Sequence, residues 1–183
     1  KAIDLVKSAA LTGCDAIKFQ TYESEKRAPK KKFPALYEII KSCELPLSDF
    51  TTIKDYCDEQ KIEFFSTAFD ENSIDFLDSI GMKIYKISSF DLINFKLLEK
   101  ISSLGKTNIL SVGMGSVQEI EEATKILKNN PLCKNSILHC VSAYPTNYRD
   151  SNLISINFLE KKYGDFLVGL SDHTNDIKVP CYA

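Results

Sequence analysis

The amino-acid sequence predicts an α/β fold built on a parallel sheet, and three observations carry the prediction. Short apolar runs alternate with amphipathic stretches of helical period along all 183 residues, the pattern of βαβ crossovers. Six strand candidates follow one another with starts ~21–31 residues apart after a longer first gap, about the length of one strand-plus-helix unit. Four of the seven glycines, Gly13, Gly81, Gly105 and Gly164, stand just before a strand, where a helix-to-strand turn favours a residue tolerant of positive φ. An open dinucleotide-binding sheet would carry a glycine-rich turn after its first strand; the first strand here runs into KFQTYE, without glycine. A (β/α)8 barrel takes about 250 residues. Six strands in 183 residues therefore fit an incomplete (β/α)8 TIM barrel, short of a unit's worth of chain at its ends.

Each element follows from local pattern. Ile3, Val6 and Ala10 share one face of a helix over 1–12, which Gly13 stops. The run 15–19 (DAIKF) is the first strand. A polar stretch, ESEKRAPKKK, reads as a loop whose basic run, Lys26 to Lys32, forms a solvated face. Helices are expected over 35–42 and 48–59, then a strand over 62–68 (IEFFSTA). Asp70 is placed to cap a helix over 71–80 that Gly81 ends. The strand 83–88 (KIYKIS) precedes a helix ending at Gly105. The strand 108–112 (NILSV) precedes Ser116-x-x-Glu119, a capping box opening a helix to about Lys128. The strand 136–141 (SILHCV), a helix from about Asn152 to Lys162, and the strand 166–171 (FLVGLS) close the series.

Composition excludes several function classes. Hydrophobic residues make up 44% and charged residues 26%, enough apolar matter for a core in a soluble chain. The net charge is −2 and the 23 basic residues are scattered, which argues against nucleic acid or an anionic membrane as partner. No apolar run approaches the ~18 residues of a membrane span, and no signal-peptide pattern opens the chain. The chain starts at Lys1 inside a helical pattern, so a missing upstream segment is expected. Six cysteines (Cys14, Cys43, Cys57, Cys133, Cys140, Cys181) include no C-x-x-C pair; they read as buried free thiols in a reducing, cytoplasmic setting. With two histidines only, His139 and His173, this chain does not complete a multi-histidine metal site.

Function enters at the strand ends, which form the catalytic rim of a barrel. They read Lys18 and Gln20; Ser66 and Thr67; Lys86, Ser88 and Ser89; Ser111; Ser142 with Tyr144; and Ser171, Asp172 and His173. Two of these are lysines set in apolar runs (AIKF and IYKI), where an ammonium is unfavourable without a counter-charge. An anionic ligand would supply one. Hydroxyls ringed with two lysines suit a phosphate and a carboxylate held together. Each residue taken singly has a plainer explanation. Lys18 can snorkel, a strand-end serine can form a turn, Asp91 can cap the following helix, and Tyr144 before Pro145 can serve packing. Those explanations strain when asked to cover six strands. His139 reads as a hydrogen-bonded core residue, whereas His173, beside an acid at the end of the last strand, is a candidate metal ligand. The pair Gly113 and Gly115 lacks a third glycine and is a weak nucleotide signal.

KFQTY, STAFD, YKISSFDL, ILSVGMGSVQEIEEA, LHCVSAYP and VGLSDHT occur in this order, each at a strand end. Together they resemble the sialic acid synthase family: the N-acetylneuraminate, legionaminate and pseudaminate synthases, NeuB-like enzymes. The resemblance implies a (β/α)8 barrel that condenses phosphoenolpyruvate with an N-acylhexosamine, giving a nine-carbon 2-keto-3-deoxy acid and phosphate. It places Lys18, Thr67, Lys86, Ser89, Ser111, Ser142 and Ser171 on phosphoenolpyruvate, and Gln20 and Tyr144 on the sugar. His173 falls on one of two metal-binding histidines, with Mn²⁺ or Mg²⁺ as the implied cofactor. Asp91, glutamate in some members, joins Lys86 in the implied catalytic pair.

The same resemblance makes residues 1–183 the middle of a longer enzyme, inactive alone. The first strand with its Glu and Asn-His-x-Gly motif, the last strand with the second metal histidine, and the C-terminal antifreeze-like domain are absent. A homodimer is implied for the full-length enzyme. Phe90 stands where many members have glycine, Ser88 replaces a smaller residue, and Ser142 replaces asparagine in some members; SSFD is closer to the pseudaminate-type pattern. These departures bear on the sugar. The rivals are a sugar-phosphate synthase of the heptulosonate type and a non-catalytic barrel binding sugar or anion. The first needs an arginine-rich second phosphate clamp, and only Arg27 and Arg149 exist.

Overall fold

Residues 1–183 are all described by the computed structural model. Its strands are β1 (Ala16–Thr21), β2 (Glu63–Ala68), β3 (Ile84–Ile87), β4 (Thr107–Ser111), β5 (Lys134–His139) and β6 (Leu167–Leu170). Each neighbours the next in sequence, in the order β1-β2-β3-β4-β5-β6. That order belongs to a sheet wound in one direction and lacks the reversal of a doubly wound sheet. The fold is that of a (β/α)8 barrel, of which the chain carries six strands with their helices. No helix is long and apolar enough to cross a membrane. Contacts divide the chain into two compact units, Lys1–Tyr85 and Lys86–Ala183.

In the first unit α1 (Ala2–Leu11) buries Val6 and leads through Gly13, at φ +78°, into β1. Beyond β1 come α2 (Ser24–Arg27), α3 (Pro34–Cys43) and α4 (Leu47–Glu59). Helix α4 buries Phe50, Ile53 and Cys57, a stripe of helical period. Asp70 caps α5 (Glu71–Ser79) as read, accepting from the Ser73 backbone N–H at 3.0 Å. Helices α4 and α5 pack on β2. Ile74 and Leu77 are wholly buried, each contributing roughly 1.5–3 kcal/mol. The β1–β2 ladder is parallel, with Lys18 opposite Phe65 and Gln20 opposite Thr67. Strand alternation then separates two faces. One carries Phe19, Thr21, Phe64 and Ser66, with the two rings stacked at 5.9 Å and the two hydroxyls bonded at 2.8 Å. The other carries Lys18, Gln20 and Thr67.

The short helix α2 lies inside the stretch read as loop. Its support is long-range: the Glu44 carboxylate accepts from the backbone N–H and hydroxyl of Ser24. Lys26 pairs with Glu23 at 2.6 Å and Asp70 at 3.5 Å, so the basic run is partly neutralised. The Arg27 guanidinium sits 3.6 Å from the Phe69 ring centre.

In the second unit α6 (Phe95–Ser103) is capped by Asn94, whose side chain accepts from the Leu97 N–H. Asp91 is thereby relieved of the capping role that its position allowed. The predicted capping box opens α7 (Val117–Lys128), with both reciprocal bonds between Ser116 and Glu119 present. Helix α8 (Ile154–Lys162) packs against β5 and β6. The β4–β5 and β5–β6 ladders are parallel, pairing Ser111 with Leu138 and Leu138 with Gly169. Strand β5 starts and ends two residues before its expected span, which makes His139 its last residue and moves Cys140 into the following loop.

Two readings are corrected. Gly13, Gly81 and Gly105 have positive φ, but Gly164 does not; α8 is capped at its C-terminus by Tyr163, at φ −122°. The left-handed turn before β2, where no glycine stands, is taken by Lys61, at φ +59°. The cysteines are not uniformly buried either: Cys57 and Cys140 are, whereas Cys14, Cys43 and Cys181 are exposed. Cys14 lies in the turn after α1, Cys43 ends α3, which buries no residue, and Cys181 lies in a 3-10 turn.

Candidate active site

In the first unit the register brings Lys18, Gln20 and Thr67 onto one face at the carboxyl ends of β1 and β2. Gln20 is exposed and Thr67 buried. Lys18 keeps an exposed side chain, yet the protein around its ammonium lowers its pKa from 10.5 by desolvation. The Lys18 ammonium makes no hydrogen bond or ion pair. A cation that has lost part of its hydration without gaining a counter-ion is a place for an anion.

In the second unit Lys86 leaves β3 on the side opposite the buried Tyr85 and Ile87. Its ammonium donates to the Ser111 hydroxyl at 2.5 Å and to the Ile87 carbonyl at 2.9 Å. Ser111 is 3% exposed. Asp91, also buried, accepts from the Ser88 hydroxyl at 2.6 Å. The Ser89 hydroxyl accepts from the Gly113 N–H at 2.9 Å and lies 3.0 Å from the Cys140 thiol. The Gly113-Met114-Gly115 turn is a packing device: a Cβ at Gly113 would meet Cys140 Sγ at 2.7 Å and Ser142 Oγ at 2.8 Å. Ser89, Gly113, Cys140 and Ser142 are thus gathered beyond β3, β4 and β5.

The loops after β5 and β6 are tied around His173. Its Nδ1 lies 2.7 Å from the Val141 carbonyl, its own carbonyl accepts from the Thr146 N–H at 2.8 Å, and Thr146 pairs with Thr174. A carbonyl only accepts, so Nδ1 carries the proton and Nε2 keeps its lone pair. Nε2 has the Ser171 hydroxyl at 3.4 Å, and the Tyr144 ring lies 4.2 Å from the imidazole at 31°. That fixed tautomer is the arrangement of a metal-binding histidine. No group of three or more His, Cys, Asp or Glu side chains converges anywhere, so His173 fits as a single ligand. His139 is the core residue expected, its Nε2 2.7 Å from the Ser151 carbonyl.

The structure therefore joins Lys86 with Ser111, and Ser171 with His173 and Tyr144, and sets Lys18, Gln20 and Thr67 on one face. Thr146 was not singled out from the sequence, Gly113 entered only as half of a weak glycine pair, and Cys140 only as a buried free thiol. Their contacts depend on strand register and loop closure, which local spacing does not report.

A family model described as the NeuB family matches residues 5–183. The chain is 43% identical over 177 residues to the uncharacterized protein MJ1065 of Methanocaldococcus jannaschii, covering 97% of this chain and 52% of that one. It is 36% identical over 200 residues to N,N'-diacetyllegionaminic acid synthase of Legionella pneumophila, covering 100% of this chain and 55% of that one. Among solved structures, the N-acetylneuraminic acid (sialic acid) synthetase of Leptospira borgpetersenii in complex with citrate superposes with TM-score 0.94 at 38% identity, over 99% of this chain and 62% of that one. The chain spans about half the length of the curated relatives it matches.

Proposed function

Because the chain belongs to the NeuB family, we propose that the protein condenses phosphoenolpyruvate with an N-acylhexosamine to a nine-carbon 2-keto-3-deoxy sugar acid. The observation that carries this reading is Lys18, a partly desolvated ammonium with no partner at a strand end. Phosphoenolpyruvate is a polyanion and supplies the missing charge. The acceptor is N-acetylmannosamine or a 2,4-diacetamido-trideoxyhexose; the likeness to a legionaminic acid synthase supports the second.

In this reading Lys18, Thr67, Lys86, Ser89, Ser111, Ser142 and Ser171 bind phosphoenolpyruvate, and Gln20 and Tyr144 bind the sugar. C3 of the enol bonds to the aldehyde carbon of the open-chain acceptor, leaving positive charge at C2. Water adds there, and phosphate departs by cleavage of the C2–O bond. Asp91, held by Ser88, orients that water and takes its proton. The Lys86–Ser111 pair stabilises the charge of the departing phosphate. A divalent cation, Mn²⁺ or Mg²⁺, would be held in part by His173 Nε2 and would polarise the acceptor aldehyde. The protein is read as a cytoplasmic homodimer with small-molecule substrates only.

The test is phosphate release by the full-length protein, given phosphoenolpyruvate, Mn²⁺ and a panel of N-acylhexosamines. Release that requires one sugar and stops with EDTA is the expected result. Release only with a sugar phosphate, or with no acceptor at all, would overturn the reading.

A further inference from the structure

Three groups crowd one point beyond β3, β4 and β5. The Cys140 sulfur lies 3.0 Å from the Ser89 hydroxyl oxygen, which also accepts from the Gly113 N–H at 2.9 Å. Cys140 is 5% exposed. A Cβ on Gly113 would stand 2.7 Å from that sulfur, so the glycine is what lets the thiol approach. A serine hydroxyl has one proton and two lone pairs. The Gly113 N–H takes one lone pair. If the serine proton turns to sulfur, Ser89 has nothing left to donate to an anion. If the thiol donates instead, both lone pairs are filled and the serine proton is directed outward.

We propose that Cys140 is a positioning residue for Ser89: in the liganded protein its S–H donates to Ser89 Oγ and turns the serine proton towards bound phosphoenolpyruvate. The inference rests on the functional reading above and adds a residue to it. The thiol needs no contact with substrate. Its whole effect passes through Ser89, so it alters binding of the anion and leaves the acceptor untouched.

The experiment uses the full-length protein with Cys140→Ala, Cys140→Ser, Ser89→Ala and the Cys140→Ala/Ser89→Ala pair, each checked for folding by circular dichroism. Phosphoenolpyruvate binding is read by calorimetry, and KM and kcat by phosphate release. Cys140→Ala is expected to weaken phosphoenolpyruvate binding about fivefold, the effect of one lost hydrogen bond, with the acceptor KM unchanged. Cys140→Ser, with a shorter bond to oxygen but a donor retained, falls between alanine and the native thiol. In the Ser89→Ala background Cys140→Ala adds nothing. Unchanged binding in Cys140→Ala, or independent effects that multiply in the double variant, would overturn the inference alone. Failure of the unmodified protein to bind phosphoenolpyruvate would overturn the functional reading and this inference with it.

Discussion

The Lys86 ammonium stands 2.5 Å from the Ser111 hydroxyl, joining the ends of β3 and β4. The hydroxyl accepts from the lysine, so its own proton is free to donate to the ligand that the lysine attracts. Ser111→Ala is expected to lower kcat/KM for phosphoenolpyruvate roughly 10-fold or more, the range for hydrogen bonds to charged groups. Ser111→Thr, which keeps the hydroxyl, should retain most of it. Steady-state kinetics with varied phosphoenolpyruvate checks this.

Lys18 predicts a pH dependence. Desolvation lowers its pKa in the free protein, and a bound polyanion raises it again. Phosphoenolpyruvate therefore binds with full affinity below the free-protein pKa of Lys18, and affinity falls as pH rises through it. The loss sets in at a lower pH than an ordinary lysine with pKa 10.5 would give. Binding measured from neutral to alkaline pH should show the fall. Lys18→Met should bind more weakly and lose this limb of the profile.

His173 and Tyr144 make a third test. With Nδ1 engaged by the Val141 carbonyl, Nε2 is the nitrogen available to a cation. His173→Ala should hold phosphate release near the EDTA level at Mn²⁺ concentrations that saturate the unmodified protein. Tyr144→Ala removes the ring that lies tilted against the imidazole at 4.2 Å and should raise the acceptor KM about fivefold, whereas Tyr144→Phe keeps the ring contact.

Lys61 offers a change in stability rather than activity. It occupies φ +59°, a conformation that costs a residue with a Cβ roughly 1 kcal/mol. Lys61→Gly should therefore stabilise the protein by about 0.5–1 kcal/mol, less what the added freedom of the unfolded chain takes back. Urea unfolding with an unchanged m-value checks it.

What was legible in the sequence was what local chemistry decides. Asp70 and Ser116 announced their helices because a cap needs only residues three apart. The run DAIKF followed by Gln20 placed Lys18 and Gln20 together at the end of the first strand. What stayed hidden depends on distant residues. Helix α2 exists through Glu44, Asp70 and Phe69, none adjacent to it in sequence. Lys61 shows that a helix-to-strand turn can do without glycine, and Gly164 that glycine need not mark a left-handed turn. The place of Cys140 at Ser89 follows from residues 51 apart, which no spacing rule reports.

The central claim is that the enol oxygen of phosphoenolpyruvate leaves with phosphate while C3 bonds to an amino sugar. Phosphoenolpyruvate labelled with ¹⁸O at the C2–O–P bridge tests it in the full-length protein, with Mn²⁺ and the acceptor present. The account predicts sugar-dependent phosphate release with the label in the phosphate. Label retained in the organic product, or release that ignores the sugar, would contradict it.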